Sequence, residues 1–333
     1  MSFNPVRRLF LLLILAAAAA IAYCVLAPFG PSSETFVDVS PGTSTRQIAV
    51  LLKQKGVIRS ELVFDAMHMV KGGTLKAGEY RFDQPAHMAD VYARLRRGDV
   101  YTVSVTIPEG SNMFDTAQRL QAAGFGAKEA FLSSARSNVK LIADLDPTAT
   151  SLEGYLFPET YRFSRHVTPL EIQEAMVHQF REEAAKLGLQ GDDRRVVTLA
   201  SLVERETPIP SERPLVASVF VNRMDKGMPL MTDPSVIYAA LLEGHYRGTI
   251  YASDLQSESP YNTYKHAGLP PGPICSPGAD SLRAAMHPAQ TDYLYFVAAS
   301  ADPSGKSRFS ATLEEHAHDV AAYRRSLRQA GSR

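Results

Sequence analysis

The sequence has no tryptophan among its 333 residues, so any aromatic stacking surface must come from its 14 tyrosines and 15 phenylalanines. Cysteine is almost as scarce. Cys24 lies inside a long apolar run and Cys275 is the only other one, which excludes an internal disulfide; Cys275 has no base arranged beside it in sequence. Net charge is missing too: 35 basic residues balance 35 acidic ones, so nothing points to nucleic acid as a partner. No Gly-x-Ser-x-Gly, no P-loop and no His-Glu-x-x-His occurs. His316 and His318 stand two apart on a predicted helix and do not share a face. Neither a metal site nor a cofactor is expected.

What is present begins with an unbroken apolar run from Leu9 to Ala27, preceded by Arg7-Arg8 and closed by Pro28. Its length suits a spanning helix, and the arginines favour a cytoplasmic N-terminus with the bulk of the chain outside. The expected layout is a tail at 1–8 and an anchor at 9–28. A cleaved signal peptide is the rival, because Ala20-Ile-Ala22 could serve as its processing site. The apolar run continues past that site, which favours the anchor.

After a polar linker at 30–35 comes an internal repeat. Val37-Asp-Val-Ser-Pro-Gly42 matches Val105-Thr-Ile-Pro-Glu-Gly110, an offset of 110 − 42 = 68, and Ala49, Leu52 and Gly56 pair with Ala117, Leu120 and Gly124 at the same offset. Each copy reads as strand, glycine turn, amphipathic helix and terminal glycine, so 36–125 is expected to be a duplicated small α/β region. Leu75–Phe82 reads as a strand and Asp90–Arg97 as a helix stopped by Gly98. Residues 126–150 look like helical connectors, and 169–188 a helix ended by Gly188.

The chain is organised around Val196–Met224. Val196, Leu199, Ala200, Leu202 and Val203 form a helical stripe, with Thr198, Ser201 and Arg205 on the opposite face. Glu204 and Glu206 fall on the two flanks. Pro208 forces Thr207 out of the helix, so both carboxylates sit in the last turn, where the helix dipole raises a carboxylate's pKa. Either could be a general acid; either could equally be a solvated edge residue paired with Arg205 or Arg213. Periodicity does not choose between them. Ser211 is the expected N-cap of the following helix, with Pro214 in its first turn.

Further on, Thr232-Asp233-Pro234 either caps a helix near Ser235 or presents Asp233 as a functional carboxylate. Tyr261-Asn262-Thr263-Tyr264 combines amide, hydroxyls and rings, the mix a sugar cleft wants, with Asn262 the expected partner of an N-acetyl group. Tyr155, Phe157 and Tyr161 are stacking candidates, at least one of them core. Tyr293–Ala298 reads as a strand and Leu313–Leu327 as an amphipathic helix.

Four segments together resemble one family: Glu153–Tyr161, Ala200–Thr207, Val219–Tyr238, and Ser259–Tyr264 with Gly268–Pro273. The chain is similar to the endolytic murein transglycosylases, the YceG-like proteins of bacterial envelopes. The resemblance implies an α+β protein with a single transmembrane helix, a LysM-like subdomain region and a mixed catalytic domain, here 151–328. It implies an inner-membrane protein with its bulk in the periplasm, acting on peptidoglycan glycan strands alongside cell-wall synthases. The catalytic acid it implies is Glu206. Within the matching segments the expected substrate contacts are Glu153, Tyr155, Asn222, Asp233, Tyr261, Asn262 and Thr263. Met231, Ser307 and Ala317 depart from the residues usual at those places, Gln, His and Asn. The expected reaction is water-free cleavage of the β-1,4 bond between N-acetylmuramic acid and N-acetylglucosamine, leaving 1,6-anhydro ends. A hydrolase with a second carboxylate, and a non-catalytic glycan-binding scaffold, remain open alternatives.

Overall fold

A computed structural model describes residues 5–189, 193–302 and 305–330. Over these the protein is α+β, with three separate two-stranded sheets among many helices. The chain divides into two compact units, Met1–Val103 and Ser104–Arg333.

The first unit starts with α1 (Pro5–Leu26), the one described helix long and apolar enough to cross a membrane. Its stretch Val6–Leu26 has a mean hydropathy of 2.8, and no residue of its apolar window is buried in the protein; only Cys24 and Val25 of its last turn are partly covered. Then come β1 (Thr35–Val39), α2 (Thr45–Gln54), α3 (Glu61–Lys71), β2 (Gly78–Phe82) and α4 (Met88–Arg97). β1 and β2 pair antiparallel, Thr35 opposite Phe82 and Val39 opposite Gly78. Strand alternation turns Val37, Val39, Tyr80 and Phe82 inward, onto Ile48 and Leu52 of α2, Phe64 of α3 and Val91 and Leu95 of α4. Gly98 ends α4 in the left-handed region, as its position in sequence predicts. The sequence analysis names no element at α3, whose apolar residues cover more than half of the helix circumference and leave Glu61, Asp65 and His68 as a narrow polar side.

The second unit opens with β3 (Val103–Thr106), α5 (Met113–Ala122) and α6 (Lys128–Ser137). It continues through β4 (Thr160–Phe163), α7 (Pro169–Leu187), α8 (Arg194–Glu206), α9 (Arg213–Asp225) and α10 (Asp233–Leu242). It closes with α11 (Ala252–Leu255), α12 (Ala279–Met286), β5 (Tyr295–Ala298), β6 (Ser307–Ser310) and α13 (Leu313–Ala330). β3 pairs with β4, and β5 antiparallel with β6. Tyr161, a stacking candidate in sequence, lies in β4, where Thr106 and Thr160 hydroxyls meet at 2.9 Å across the sheet.

The 68-residue offset survives in three dimensions. Thr45–Gln54 shifted by 68 is Met113–Ala122, the extent of α5. Ser44 and Asn112 both cap their helices in reciprocal capping boxes, with Gln47 and Asp115. Gly42 and Gly110 both turn with positive φ, 82° and 74°. Each copy runs on into a second helix and a strand that pairs back, β1-α2-α3-β2 and β3-α5-α6-β4. The first copy lies in the first unit and the second copy in the second. The second is bonded into the C-terminal body: Gly110 N–H donates to Ser276 O at 3.0 Å, and Ser276 N–H to Ser111 O at 2.9 Å.

α8 is the buried axis of this body. Every residue from Val197 to Val203 is buried, including Thr198 and Ser201, which the sequence places opposite the apolar stripe. α12 packs over that side, and Ser201 Oγ accepts from Ile274 N–H at 3.0 Å. α9 starts differently from expectation. Pro210–Glu212 form a 3₁₀ turn and Glu212, not Ser211, occupies the N-cap position.

Candidate active site

α8 stops at Glu206, and Thr207 is extended at φ −140°, ψ 128°, as a following proline requires. The two glutamates of the last turn face different surroundings. Glu204 is sealed: its Oε1 receives Arg213 Nη2 at 3.0 Å, its Oε2 receives Gly278 N–H at 3.0 Å, and the paired side chains are 5% and 6% exposed. The Glu206 carboxyl has no hydrogen bond or ion pair to any described residue and lines a cavity of about 320 Å³. Burial raises its pKa to about 7, and the charge of Asp233 adds to the rise, against smaller lowering effects of Arg205 and Arg223. A carboxyl poised there can give a proton at neutral pH and take one back. The sequence argument from the helix dipole predicts the right direction, but desolvation is the largest cause.

The cavity wall opposite Glu206 comes from several elements. Asp233, first residue of α10, accepts from Tyr264 OH at 2.6 Å. Burial and Asp233 push the Tyr264 phenol upward, so it remains a donor. Thr232, not Asp233, caps α10, accepting from Ser235 N–H. Asp233 is thereby left to the cavity. Arg223 of α9 is held by three carbonyls, those of Leu294 (2.7 Å), Leu230 (2.9 Å) and Pro229 (3.2 Å). Burial lowers its pKa from the usual guanidinium value. His316 of α13 stacks on Tyr295 at 5.0 Å between ring centroids, with its Nδ1 buried and unbonded. Burial, then Arg223, depress its pKa, so the ring is neutral at pH 7. Phe220, Leu230 and Phe296 supply apolar wall. Met231, also lining it, adopts φ 55°, the one positive φ on a non-glycine among the described residues.

Of the predicted substrate contacts, only Asp233 joins Glu206 at this cavity. Asn262 is fully buried and spent: its amide donates to Ser257 O (2.8 Å) and Leu255 O (3.1 Å) while its Oδ1 accepts from Tyr264 N–H. It shapes the loop that carries Tyr264 and has nothing left for an N-acetyl group. Thr263, 1% exposed, clamps the two loops, its Oγ1 accepting from Thr232 N–H at 2.9 Å and meeting Ser235 Oγ at 2.8 Å. Asn222 ties α9 to the 291–293 segment through the carbonyls of Thr291 and Tyr293. Tyr155 is core, 0% exposed and edge-on to Phe180 at 5.1 Å, so no sugar can stack on it.

Glu153 and Tyr261 line a second cavity, about 240 Å³, with Asp146 and Arg194. Glu153 is 3% exposed and accepts from Met113 N–H (2.9 Å) at the start of α5 and from Gly154 N–H (3.3 Å). Burial raises it to about 7 despite those bonds. Gly154 is required there: φ is +86° and a Cβ would meet Pro273 at 2.4 Å. Ser307 and Ala317 do not line the Glu206 cavity; Ser307 N–H donates to Glu212 Oε1 at 2.8 Å in β6.

Arg223 and His316 are the site residues that sequence reasoning misses. Arg223 follows Asn222 in the Val219–Tyr238 segment; two of the carbonyls that cage it come from the turn six and seven residues on, and the third, Leu294 O, from 71 residues away. The two-residue spacing of His316 and His318 argues against a shared metal and says nothing about a cavity.

The sequence profile of the YceG-like family matches residues 37–322. The chain belongs to that family. It is 35% identical over 327 residues to an endolytic murein transglycosylase of Bacillus subtilis, covering 91% of this chain and 89% of that protein. It is 29% identical to one from Streptococcus pneumoniae over 90% of this chain, where it spans 60% of the relative's length. A 2.6 Å crystal structure of a YceG-like protein from Listeria monocytogenes superposes with a TM-score of 0.56 at 32% identity, over 86% of this chain and 99% of that one.

Proposed function

We propose that this YceG-like protein is a membrane-anchored lytic transglycosylase that cuts peptidoglycan glycan strands internally during wall assembly. α1 is the anchor, in the cell inner membrane, with residues 1–8 cytoplasmic and the body periplasmic. The β-1,4 bond between N-acetylmuramic acid and N-acetylglucosamine is the one cut. The two βααβ copies are LysM-like glycan-holding modules, 151–328 is the catalytic domain, and wall synthases are its protein partners.

The observation that carries this reading is the state of Glu206: in a cavity, unbonded, with a pKa of about 7. Glu206 protonates the glycosidic oxygen as the C1–O bond breaks. The same carboxylate then takes the proton of the muramic acid's own 6-hydroxyl as that oxygen bonds to C1, closing the anhydro ring. Water is neither consumed nor released. A tethered nucleophile needs no residue to hold it, so one carboxyl suffices. The negative charge of Asp233, oriented by Tyr264, stabilises positive charge at the anomeric carbon.

Asp233 also favours a second reading, hydrolysis with Asp233 activating water. Digestion of glycan strands by the full chain in ¹⁸O-water, read by mass spectrometry, tests both. Anhydro ends about 18 Da below the hydrolysed ones and free of label are expected. Labelled ends would mean hydrolysis, and no cleavage at all would leave a scaffold.

A further inference from the structure

α3 carries apolar side chains on the face turned away from its own core. Phe64 points inward and is 0% exposed. On the opposite side Leu62, Met69 and Val70 are 72%, 84% and 87% exposed, with exposed Ala66 between them. Positions 62, 66, 69 and 70 follow the i, i+4, i+7, i+8 spacing of an apolar stripe, so one whole face of the helix is hydrophobic and uncovered. Such a stripe on a soluble surface marks a contact with something apolar.

The surroundings of α3 point to what that is. The last turn of α1 packs on this unit's core through Cys24 and Val25, beside Val63 and Met67 on the flank of α3. Arg59, two residues before α3, donates to the carbonyls of Ala27 (2.7 Å) and Pro28 (3.1 Å), and its guanidinium lies over the rings of Tyr23 and Phe29. His87 Nδ1 meets Leu26 O at 2.6 Å. The end of α1 is therefore fastened to the unit next to α3, not joined to it by a free linker. Exposed Lys71 ends α3, and Lys53 lies 3.5 Å from Glu61 at its start, with Arg59 close by. Lys53, Arg59 and Lys71 against Glu61 and Asp65 leave the surroundings of α3 net basic, which suits an anionic lipid surface. Asp65, the only other acid of the helix, is half-buried at the edge of the stripe.

We propose that the outer face of α3 lies in the headgroup–acyl boundary of the bilayer that α1 crosses, with Leu62, Met69 and Val70 immersed and the basic residues at the lipid phosphates. This rests on the reading of α1 as a spanning anchor. The contact gives the first unit two fixed points on the membrane and so sets its orientation.

The test uses the full chain in phosphatidylethanolamine–phosphatidylglycerol vesicles, in a Cys24→Ser background; Cys275 is fully buried and escapes labelling. A polarity-sensitive fluorophore is placed by Met69→Cys, and separately by Leu15→Cys in α1. Shallow spin-labelled lipids are expected to quench the Met69 label several-fold more than deep ones, with the reverse order at Leu15. Adding Leu62→Glu and Val70→Glu should abolish lipid quenching at Met69 and leave Leu15 unchanged. A Met69 label reached by aqueous iodide while Leu15 is lipid-quenched overturns the proposal and keeps the anchor. A Met69 label shielded from both quenchers means a second copy or another protein covers the face, which also overturns it. Lipid quenching at neither position removes the anchor itself.

Discussion

Two glutamates of the second unit reach the same pKa, about 7, in opposite settings. Glu153 faces a helix N-terminus and accepts two main-chain N–H bonds, so its carboxylate has work to do in holding α5 against the 151–154 turn. Glu206 stands at a helix C-terminus with no such partner and a carboxylate beside it. A raised pKa alone therefore does not mark an acid catalyst; a raised pKa on a group with free lone pairs and open space does. Glu204 sharpens the same point. It leaves the same helix turn as Glu206, but its lone pairs are used by Arg213 and Gly278.

The largest way to break the comparison is to neutralise each in turn. Glu206→Gln is near-isosteric and should lower the rate of glycan cleavage by about 10²–10⁴-fold with the fold intact, measured as turnover of purified strands against circular dichroism. If Glu204→Gln were dead and Glu206→Gln active, the assignment would be reversed.

The other two glutamates should register in stability instead. Glu204→Gln leaves the Arg213 charge, 6% exposed, with only Glu109 at 3.5 Å, and should cost roughly 2–3 kcal/mol in denaturant unfolding. Glu153→Ala strands the Met113 and Gly154 N–H groups, at a cost of roughly 1–3 kcal/mol. Activity of the folded fraction should change far less than in Glu206→Gln. A Glu153 variant that is fully stable but inactive would move the chemistry to the second cavity.

How far the sequence reveals this contrast depends on distance along the chain. The end of α8, its stop before Pro208 and the flank positions of both glutamates follow from local spacing. So does the repeat, with its strand, glycine turn and first helix. What spacing cannot supply is which flank is covered. Glu204 is sealed by Arg213, nine residues on, and Gly278, 74 residues on. The Asn262 and Thr263 side chains have the right chemistry for a sugar but are used up by loop carbonyls and hydroxyls that only folding brings near. Tyr155 looked like a platform because aromatic residues in a Gly-Pro-rich segment read the same whether they face solvent or core.

A smaller effect concerns pH. Cleavage needs Glu206 protonated, so its rate should fall as pH rises through about 7. Asp233→Asn removes a charge that raises this pKa, and the alkaline limb of the rate profile should move to lower pH. Stability gives an independent reading. The folded pKa, about 7, exceeds the ordinary glutamate value of 4.5, so the folded state binds more protons in that window and stability declines there as pH rises. Glu206→Gln removes the penalty. Its advantage over the parent in thermal unfolding should be absent at pH 4 and reach roughly 1–3 kcal/mol at pH 8. An advantage of equal size at both values would mean the carboxyl is not buried in its charged form.

The smallest effect lies in the cavity wall, at Met231. Its φ of 55° is a left-handed conformation that costs an ordinary side chain of the order of 1 kcal/mol, and it is held by Met231 N–H donating to Thr263 O at 3.1 Å. The side chain is 49% exposed, so little packing is lost on replacing it. Asparagine tolerates this region and a β-branched residue does not. Met231→Asn should therefore raise stability by about 0.5 kcal/mol, and Met231→Ile should lower it by about 1–2 kcal/mol. Because Thr263 also receives Thr232 N–H through its hydroxyl, the same strained residue sets where Asp233 starts α10. Met231→Asn should keep the pH profile of cleavage, since the backbone stays in place, whereas Met231→Ile should shift its alkaline limb by displacing Asp233 from Glu206. Equal stability of the two variants would show that this turn relaxes freely, and Asp233 would then owe its position to Tyr264 alone.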